Sequence, residues 1–440
     1  MPEPTGAVPV VTVEAPPQGE TSGGAVAGGL AVTAGLLVLG VSSYAFLSLA
    51  SHSVSKGEFS AVAALWSLVY ALAGVFTPLE QEATRAVAQR RVHGQAIAPV
   101  VARVATIGAA AAVLVVLVLF ALQGPLTSRI LGGQRTLVSA LAATLVATGA
   151  SFVLRGVLAG TRRYRAYGGV LAGEGLLRVV GAGVLALAVM PSAGRLGLVL
   201  AAAALVPQLV GLLALPRTGG TPHPGSWAEV TSNLGWLVCA SVVTQAVANA
   251  GPVVLQLLGS QDEGEAGRFL AAFVLVRIPL LFVSALQASL LPRLVSAVES
   301  DDHGAYGLAL KQMIGIVGAL GTLALVGFAA IGPIFVSLLL GRSDSIGRVD
   351  LVVLGLSSVL FVLAALLQSA VLALGGHRVV AACWAVGGVL FVAGCLLPLA
   401  SLLRLEIAYV VSSAAVPLLL AAWLTRARSA RRRALAQPVG

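Results

Sequence analysis

Residues 99–122, PVVARVATIGAAAAVLVVLVLFAL, form an apolar run that carries a single charged residue, Arg103. A run of this length can cross the roughly 30 Å hydrocarbon core of a bilayer as an α-helix. The rest of the chain has the same character, with 58% hydrophobic residues, 10% charged residues and a mean hydropathy of +0.98. This composition predicts a polytopic membrane protein and excludes a separate water-soluble domain.

Twelve apolar segments are long enough to span a membrane, and only short turns separate them. The sequence therefore predicts an all-α integral membrane protein with twelve transmembrane helices. The expected spans are 26–50, 59–82, 99–122, 136–158, 168–190, 195–215, 233–258, 269–292, 310–338, 350–375, 379–400 and 403–424.

The lysines and arginines predict that both ends of the chain are cytoplasmic, because basic loops are retained on that side. In this orientation 17 of the 27 basic residues lie in cytoplasmic loops and tails, and 8 lie outside. The net charge of +10 is then explained by contact with anionic membrane lipids, and nucleic acid is not an expected partner.

An internal repeat predicts two lobes of six helices each. Residues 57–94 match residues 267–304, and six spans separate the copies, so both lobes have the same orientation in the membrane. The matched pairs include Gly57 with Gly267, Phe59 with Phe269, and His93-Gly94 with His303-Gly304. The expected organisation is a disordered cytoplasmic tail (1–25), a first lobe (26–216), a cytoplasmic linker (217–232), a second lobe (233–424) and a basic cytoplasmic tail (425–440).

Charged residues inside the spans are the candidate functional residues, because a charge at the centre of a membrane helix costs about 2.5–3.5 kcal/mol without a partner or a wet cavity. Glu174 and Arg178 are one turn apart and can pair on one helix face. Either this pair is self-neutralised and orders the lobe, or it contacts a ligand. Arg277 has no acidic residue within reach on its own helix, so we expect it to face a cavity.

A second group of charges closes the second span. Glu82 and Arg85 are three residues apart and can pair on one helix face. Glu80 and Arg85 either belong to this functional cluster or extend to the membrane interface, and Arg155 at the end of the fourth span is expected to extend to the interface. Glu174 is then the only carboxylate expected well inside the membrane and would carry a proton if transport is proton-coupled.

Motifs for catalysis are absent from the sequence, since no HExxH, Walker loop or Ser-His-Asp constellation has a usable placement. We therefore expect no enzyme activity and no cofactor, and we leave proton or sodium coupling open. The pairs Gly156-xxx-Gly160 and Gly169-xxx-Gly173 are typical of closely packed helices.

Several of these segments resemble polysaccharide flippases of the O-antigen, or Wzx, type. This family belongs to the multidrug/oligosaccharidyl-lipid/polysaccharide (MOP) exporter superfamily. The resemblance covers roughly residues 26–424. Its motifs are Gly57-Glu58-Phe59, Pro78-Leu79-Glu80-Gln81-Glu82 with Arg85, Arg155-Gly156, Glu174 with Arg178, and Arg277-Ile278-Pro279 followed by Leu291-Pro292-Arg293.

The resemblance implies alternating access that moves a polyprenyl-pyrophosphate-linked glycan across the bacterial cytoplasmic membrane. It implies that Arg277 and then Arg178 contact the phosphate or glycan, and that Glu80, Glu82, Arg85 and Arg155 form the cytoplasmic gate. Membrane lipids and the glycosyltransferases or polymerase of the same pathway are the implied partners. The first span lacks the arginines expected of a lipid II flippase, which argues against a peptidoglycan precursor as cargo.

Other functions remain open at this point. A drug or metabolite exporter of the same superfamily would have the same fold with a different cargo. A major-facilitator transporter would carry a Gly-x-x-x-Asp-Arg pattern that residues 86–99 lack. A membrane glycan polymerase or ligase would need large outer loops, and a scaffold for cell-envelope enzymes would need none of the buried charges.

Overall fold

The computed structural model describes residues 22–188, 191–215, 220–221, 226–227, 234–258, 265–277, 303–340 and 347–436. These residues form helices joined by short turns, with no β-strand among them. The first group of helices is α1 (Ser22–Ser53), α2 (Lys56–Ala73), α3 (Thr77–Val92), α4 (Ala98–Ala121), α5 (Arg135–Gly160), α6 (Tyr164–Ala188) and α7 (Ala193–Leu212). The second group is α8 (Leu234–Asn249), α9 (Gly251–Leu257), α10 (Glu265–Leu275), α11 (His303–Leu340), α12 (Arg348–Ala373), α13 (His377–Cys395) and α14 (Ser401–Ala436).

Ten of these helical segments are long and apolar enough to cross a membrane, or eleven if the bent pair of α8 and α9 counts as one span. The prediction of an all-α, multi-pass membrane protein is therefore confirmed. The predicted eighth span, 269–292, lies largely on residues 278–302, which are outside the described residues.

Two predicted spans differ from the observed helices at their ends. The second span continues to Val92 as α2 and α3, which are separated by a turn at 74–76 that precedes Pro78. Proline fits the first turn of a helix because its missing N–H is not needed there, so α3 restarts at this point. The last helix runs past the predicted end at 424 to Ala436, so the basic tail begins as helix.

The helices of the first group pack mainly on one another, as do those of the second group, which gives two lobes. In the first lobe α1 lies along α6 and α3 lies along α5. In the second lobe α14 lies along both α12 and α13. The lobes meet where α2 and α3 contact α8, and where α2 contacts α9 and α10.

Small residues allow these helices to approach closely, as the sequence predicts for Gly156 and Gly160. An added Cβ at Gly156 would lie 2.7 Å from the carbonyl oxygen of Glu80, and one at Gly160 would lie 2.8 Å from that of Thr84. The expectation for Gly169 is wrong, because its added Cβ would meet nothing within 4 Å. The helix crossing instead uses the preceding glycine, Gly168, which faces the backbone of α1.

The end of the bundle that carries Arg90, Arg91 and Arg378 is called the basic end, and the opposite end is called the far end. Part of the predicted linker lies at the basic end. Thr221 N donates to Gly94 O at 3.0 Å, and Ala96 N donates to Thr221 O at 3.0 Å. These bonds join the linker to the turn between α3 and α4.

Candidate functional site

The first lobe contains a polar cluster around Arg178 of α6. Its guanidinium pairs with Glu174 one turn earlier, so the predicted pair is present. Arg178 Nη1 also donates to Tyr70 Oη at 2.9 Å and to Ser43 Oγ at 3.3 Å, which joins α6 to α2 and α1. The guanidinium lies over Trp66, with 5.5 Å between Cζ and the ring centroid. Arg178 and Glu174 are 5% and 8% exposed, so the two charges neutralise each other inside the lobe.

A second cluster lies nearer the basic end, where α3, α5 and α6 meet. Arg155 Nη2 is 2.9 Å from Glu80 Oε2, and their side chains are 12% and 17% exposed. Tyr167 Oη donates to Glu80 Oε1 at 2.5 Å. The prediction that Arg155 extends to the interface is therefore wrong, and of the two alternatives for Glu80 the structure favours the one within a charged cluster. Each finds its counter-charge on a neighbouring helix, a partner that spacing along one helix cannot reveal.

Glu82 and Arg85 form the pair that their spacing predicts. Arg85 donates to Glu82 Oε2 from Nη2 at 2.7 Å and from Nε at 3.0 Å. Its Nη1 also donates to Gln89 Oε1 at 2.9 Å. The Arg85 side chain is 40% exposed, whereas that of Glu82 is 6% exposed. Arg85 is therefore the exposed member and Glu82 the buried member of a pair on α3 that is separate from the Glu80–Arg155 pair.

Arg277 of the second lobe contacts the break between α8 and α9, where the two helix axes differ by 66°. Arg277 Nη2 donates to the carbonyl oxygen of Ala248, close to the end of α8. Carbonyls at a helix end lack intrahelical partners, so the arginine satisfies one of them. The guanidinium lies 4.3 Å from the Phe273 ring centroid and 5.6 Å from that of Phe361. In the described part of the chain Arg277 forms no ion pair with a carboxylate.

A cavity of about 240 Å³ lies between the lobes, toward the basic end. It is lined by α3 of the first lobe and by α8, α12 and α13 of the second lobe. Its polar lining consists of amides, hydroxyls, an indole and an imidazole, with no Asp, Glu, Lys or Arg among its described residues. The lining residues are Thr77, Pro78, Gln81, Trp236, Leu237, Ala240, Ser241, Thr244, Gln245, Gln368, Leu372, His377 and Val380.

Two contacts hold this lining in place. Trp384 Nε1 donates to Gln368 Oε1 at 2.6 Å, which fixes the orientation of the amide. Arg378 lies over the Trp236 ring at 5.7 Å from its centroid. His377 Nδ1 is buried and has no hydrogen-bond partner among the described residues. The cavity can therefore donate to and accept from an uncharged polar ligand.

None of the charged residues singled out from the sequence lines this cavity. The structure brings Glu80 to Arg155 and Glu174 to Arg178 within the first lobe, while Arg277 lies in the second. Sequence reasoning missed the cavity residues because it searched for charged residues. The lining is neutral and comes from four separate helices, so no regular spacing along the sequence connects its members. Two signals were available in the sequence. One is Gln81, three residues after Pro78, and the other is the series Ser241, Thr244 and Gln245 on one helix.

Sequence reasoning also missed a buried carboxylate near the start of α14. Glu406 is 5% exposed, and Glu82 is 4% exposed, so Glu174 is not the only buried carboxylate. Glu406 lies close to the end of the predicted twelfth span, 403–424, and no nearby residue on its helix signals its burial.

Comparison with known proteins identifies relatives over most of the chain, although no family model matches it. The chain is 27% identical over 381 residues to "Uncharacterized protein Rv3630" of Mycobacterium tuberculosis, which covers 82% of this chain and 84% of that protein. It is 31% identical over 326 residues to "Uncharacterized protein Rv1510" of the same species, which covers 71% of this chain and 72% of that protein.

Among solved structures, the chain is similar to the inward-facing conformation of a multidrug resistance MATE family transporter of the MOP superfamily. The TM-score is 0.69 with 14% sequence identity, over 90% of this chain and 96% of that one. At this identity the similarity establishes the fold. The chain therefore belongs to the same protein family as Rv1510 of Mycobacterium tuberculosis, and it has the fold of the MATE transporters of the MOP superfamily.

Proposed function

We propose that this protein is a flippase that moves a polyprenyl-(pyro)phosphate-linked oligosaccharide across the cytoplasmic membrane by alternating access. The observation that carries this proposal is the uncharged polar cavity between the lobes. Gln81 and Gln245 offer amides, Ser241 and Thr244 offer hydroxyls, and Trp236 offers a ring face. Amides and hydroxyls match the donors and acceptors of sugar hydroxyls, and an aromatic ring packs against the apolar face of a sugar.

The physical task of a flippase fits a cavity of this kind. A polar group without hydrogen bonds costs roughly 4–8 kcal/mol in a hydrocarbon-like medium, so an unassisted glycan cannot cross the bilayer. The polar groups that line the cavity replace the hydrogen bonds that water makes with the glycan, while the lipid tail of the cargo remains in the bilayer. A neutral lining favours an uncharged glycan over an organic cation, since a cation needs carboxylates to offset its lost hydration.

Alternating access is supported by the arrangement of the two lobes. They contact each other at the far end through α2 and α10, whereas the cavity lies toward the basic end. If the basic end is cytoplasmic, as the positive charges predict, the cavity lies on the side of the inner leaflet. Rocking of one lobe against the other would close the cavity at the basic end and open it at the far end.

We assign separate roles to the buried charges. Arg277 is the proposed contact for the cargo phosphate, because its described partners are a carbonyl and two aromatic rings, with no carboxylate. Arg178 already binds Glu174, Tyr70 and Ser43. We therefore propose that its main role is to stabilise the first lobe and that contact with the cargo is its secondary role. Glu82 and Arg85 are the proposed gate at the basic end, and Glu80 with Arg155 anchors that gate to α5. Glycosyltransferases or a polymerase of the same pathway are the proposed partners.

The experiment is to measure inner-to-outer-leaflet movement of a labelled polyprenyl-pyrophosphate oligosaccharide in proteoliposomes. We expect wild-type movement, a rate reduced about tenfold by Gln81→Leu through the loss of one hydrogen bond, and loss of movement in Arg277→Ala. Gln123→Leu, an exposed glutamine at the far end, is the matched control and should move cargo at the wild-type rate.

The alternatives predict different results in the same vesicles. Export of small amphiphilic cations without movement of any lipid-linked glycan would assign the protein to drug or metabolite export. Absence of both activities in folded protein would instead favour a scaffold for cell-envelope enzymes. An effect of Gln81→Leu equal to that of Gln123→Leu would remove the interlobe cavity from the cargo path.

A further inference from the structure

The interior of the first lobe contains two buried polar side chains that lack hydrogen-bond partners. Ser151 of α5 is 3% exposed and Gln208 of α7 is 4% exposed. Neither the serine hydroxyl nor the nitrogen and oxygen of the glutamine amide has a partner among the described residues. Buried polar groups in folded proteins are nearly always hydrogen-bonded, either to protein or to ordered water. These atoms therefore indicate a ligand that bonds to both side chains.

The packing of α5 against α7 places the two side chains opposite each other. An added Cβ at Gly197 would lie 3.0 Å from Cβ of Ala140, and one at Gly211 would lie 2.8 Å from Cδ2 of Leu154. The two helices therefore run in the same direction. The serine and the glutamine each follow the first contact by 11 residues, which is close to three whole helical turns, and each precedes the second contact by three residues. They lie at the same depth on facing surfaces.

The backbone of α7 supplies a third polar group at this position. Pro207 lies inside the helix and has no N–H, so the carbonyl oxygen of Ala203 lacks its usual intrahelical donor. Ala203 is 1% exposed, which places this carbonyl in the interior. Helix carbonyls point along the axis toward the C-terminus, so this one points toward the turn that carries Gln208. Membrane helices tolerate an internal proline where side chains or ordered waters satisfy the freed carbonyl.

The charges of the neighbouring helices are already paired. Arg155, one turn further along α5, pairs with Glu80 of α3, and Glu174 of α6 pairs with Arg178. The ionisable residue of α7 is Arg195, at the opposite end of the helix. A charged ligand would therefore lack a counter-charge, and burial of an unpaired charge is costly. An amide, a hydroxyl and a carbonyl suit a small neutral molecule that both donates and accepts hydrogen bonds.

We propose that α5 and α7 bind one ordered water molecule between Ser151, Gln208 and the carbonyl oxygen of Ala203. The water accepts from one of the donors and donates to the acceptors, so groups of both helices are satisfied together. A buried water makes about three hydrogen bonds, which matches the three groups present. The water joins α5 to α7 and allows α7 to contain Pro207 without an unpaired carbonyl. This site lies inside the first lobe, separate from the interlobe cavity, and does not depend on the cargo.

Radiolytic hydroxyl-radical footprinting of the full chain in lipid nanodiscs tests the site, because radicals formed from a bound water oxidise the side chains beside it. The reporter is Leu154, which is 5% exposed and contacts α7 one turn from the site. Leu141, fully buried on the same helix about 15 Å from Ser151, is the matched control. We expect oxidation of the reporter but not of the control. The double variant Ser151→Ala with Gln208→Leu should lose the oxidation of the reporter.

Two results would overturn the proposal. If wild-type Leu154 is oxidised no more than Leu141, then no water is bound there, and the serine and glutamine satisfy each other directly. If oxidation of Leu154 persists in the double variant, then the radicals come from water outside this site. Because the wild-type protein alone can give the first of these results, the test does not depend on the folding of a variant.

Discussion

The backbone N–H of Gly267 donates a hydrogen bond to Ser60 Oγ at 3.3 Å, so the two lobes touch at the far end through repeat-related helices. An added Cβ at Gly267 would lie 3.5 Å from the same oxygen, and the Phe59 ring covers the glycine from α2. A side chain at position 267 would have to displace the Phe59 ring, whose Cδ1 lies 2.6 Å from the added Cβ. The contact therefore closes the far end while the cavity at the basic end is present.

A disulfide between these positions should lock the far end closed. With Cys239, Cys383 and Cys395 first replaced by alanine, we expect Ser60→Cys combined with Gly267→Cys to form a bond on mild oxidation. The added Cβ of Gly267 lies 3.5 Å from Ser60 Oγ, so two cysteine side chains at these positions are within reach of each other once the Phe59 ring moves aside. Movement of cargo in proteoliposomes should stop on oxidation and return on reduction.

The control for this lock is a cysteine pair across the cavity, Gln81→Cys with Gln368→Cys. These positions line opposite walls, so we expect no cross-link in the arrangement described here. Gel mobility with and without reductant reports both pairs. Cargo movement that continues through a fully oxidised Ser60–Gly267 pair would contradict the view that this contact must open during transport.

The hydrogen bond from Tyr167 to Glu80 should contribute measurably to stability. Tyr167→Phe removes a donor to a partly buried carboxylate, and hydrogen bonds to charged groups are worth about 1.5–3 kcal/mol. We expect a lower thermal unfolding midpoint in detergent. Tyr164→Phe, three residues earlier on the same helix, is the control and should unfold at the wild-type midpoint. Equal midpoints for the two variants would show that the tyrosine hydroxyl does not support the Glu80–Arg155 pair.

Glu174→Gln should destabilise the first lobe by about 3–5 kcal/mol, because it leaves the charge of Arg178 buried without a carboxylate. The double variant Glu174→Gln with Arg178→Met should recover most of this loss, since it removes both charges together. Denaturant unfolding measures both effects. If the folded double variant still moves cargo, the pair serves the lobe, whereas loss of movement would place the pair in the cargo path.

Two adjacent glycines of α6 should respond in opposite directions to the same substitution. Gly168→Ala places a methyl group against the backbone of α1, and we expect a loss of about 1–3 kcal/mol from overpacking. Gly169→Ala meets open space and should gain roughly 0.5–1 kcal/mol from higher helix propensity. Thermal unfolding in detergent compares the two. If Gly169→Ala were the less stable of the two variants, then Gly169 rather than Gly168 would face α1.

Part of the candidate site could be predicted because it depends on separation along one helix. Glu174 with Arg178 and Glu82 with Arg85 lie four and three residues apart, and this spacing places them on one helix face. The partner of Glu80 could not be predicted, since Arg155 is on another helix. Charge and spacing therefore identified the pairs within one helix and missed the Glu80–Arg155 pair between two helices.

By itself the sequence determined that this protein is helical and spans a membrane, since an apolar run can satisfy its backbone hydrogen bonds in lipid only as a helix. It also determined the pairs within one helix, because helical periodicity is a local property. Tertiary structure alone decided which helices meet, and with that the neutral cavity around Gln81 and Gln245 and the Glu80–Arg155 pair. These groups come together only when helices pack, and packing depends on side-chain shapes across the whole bundle rather than on spacing along one segment.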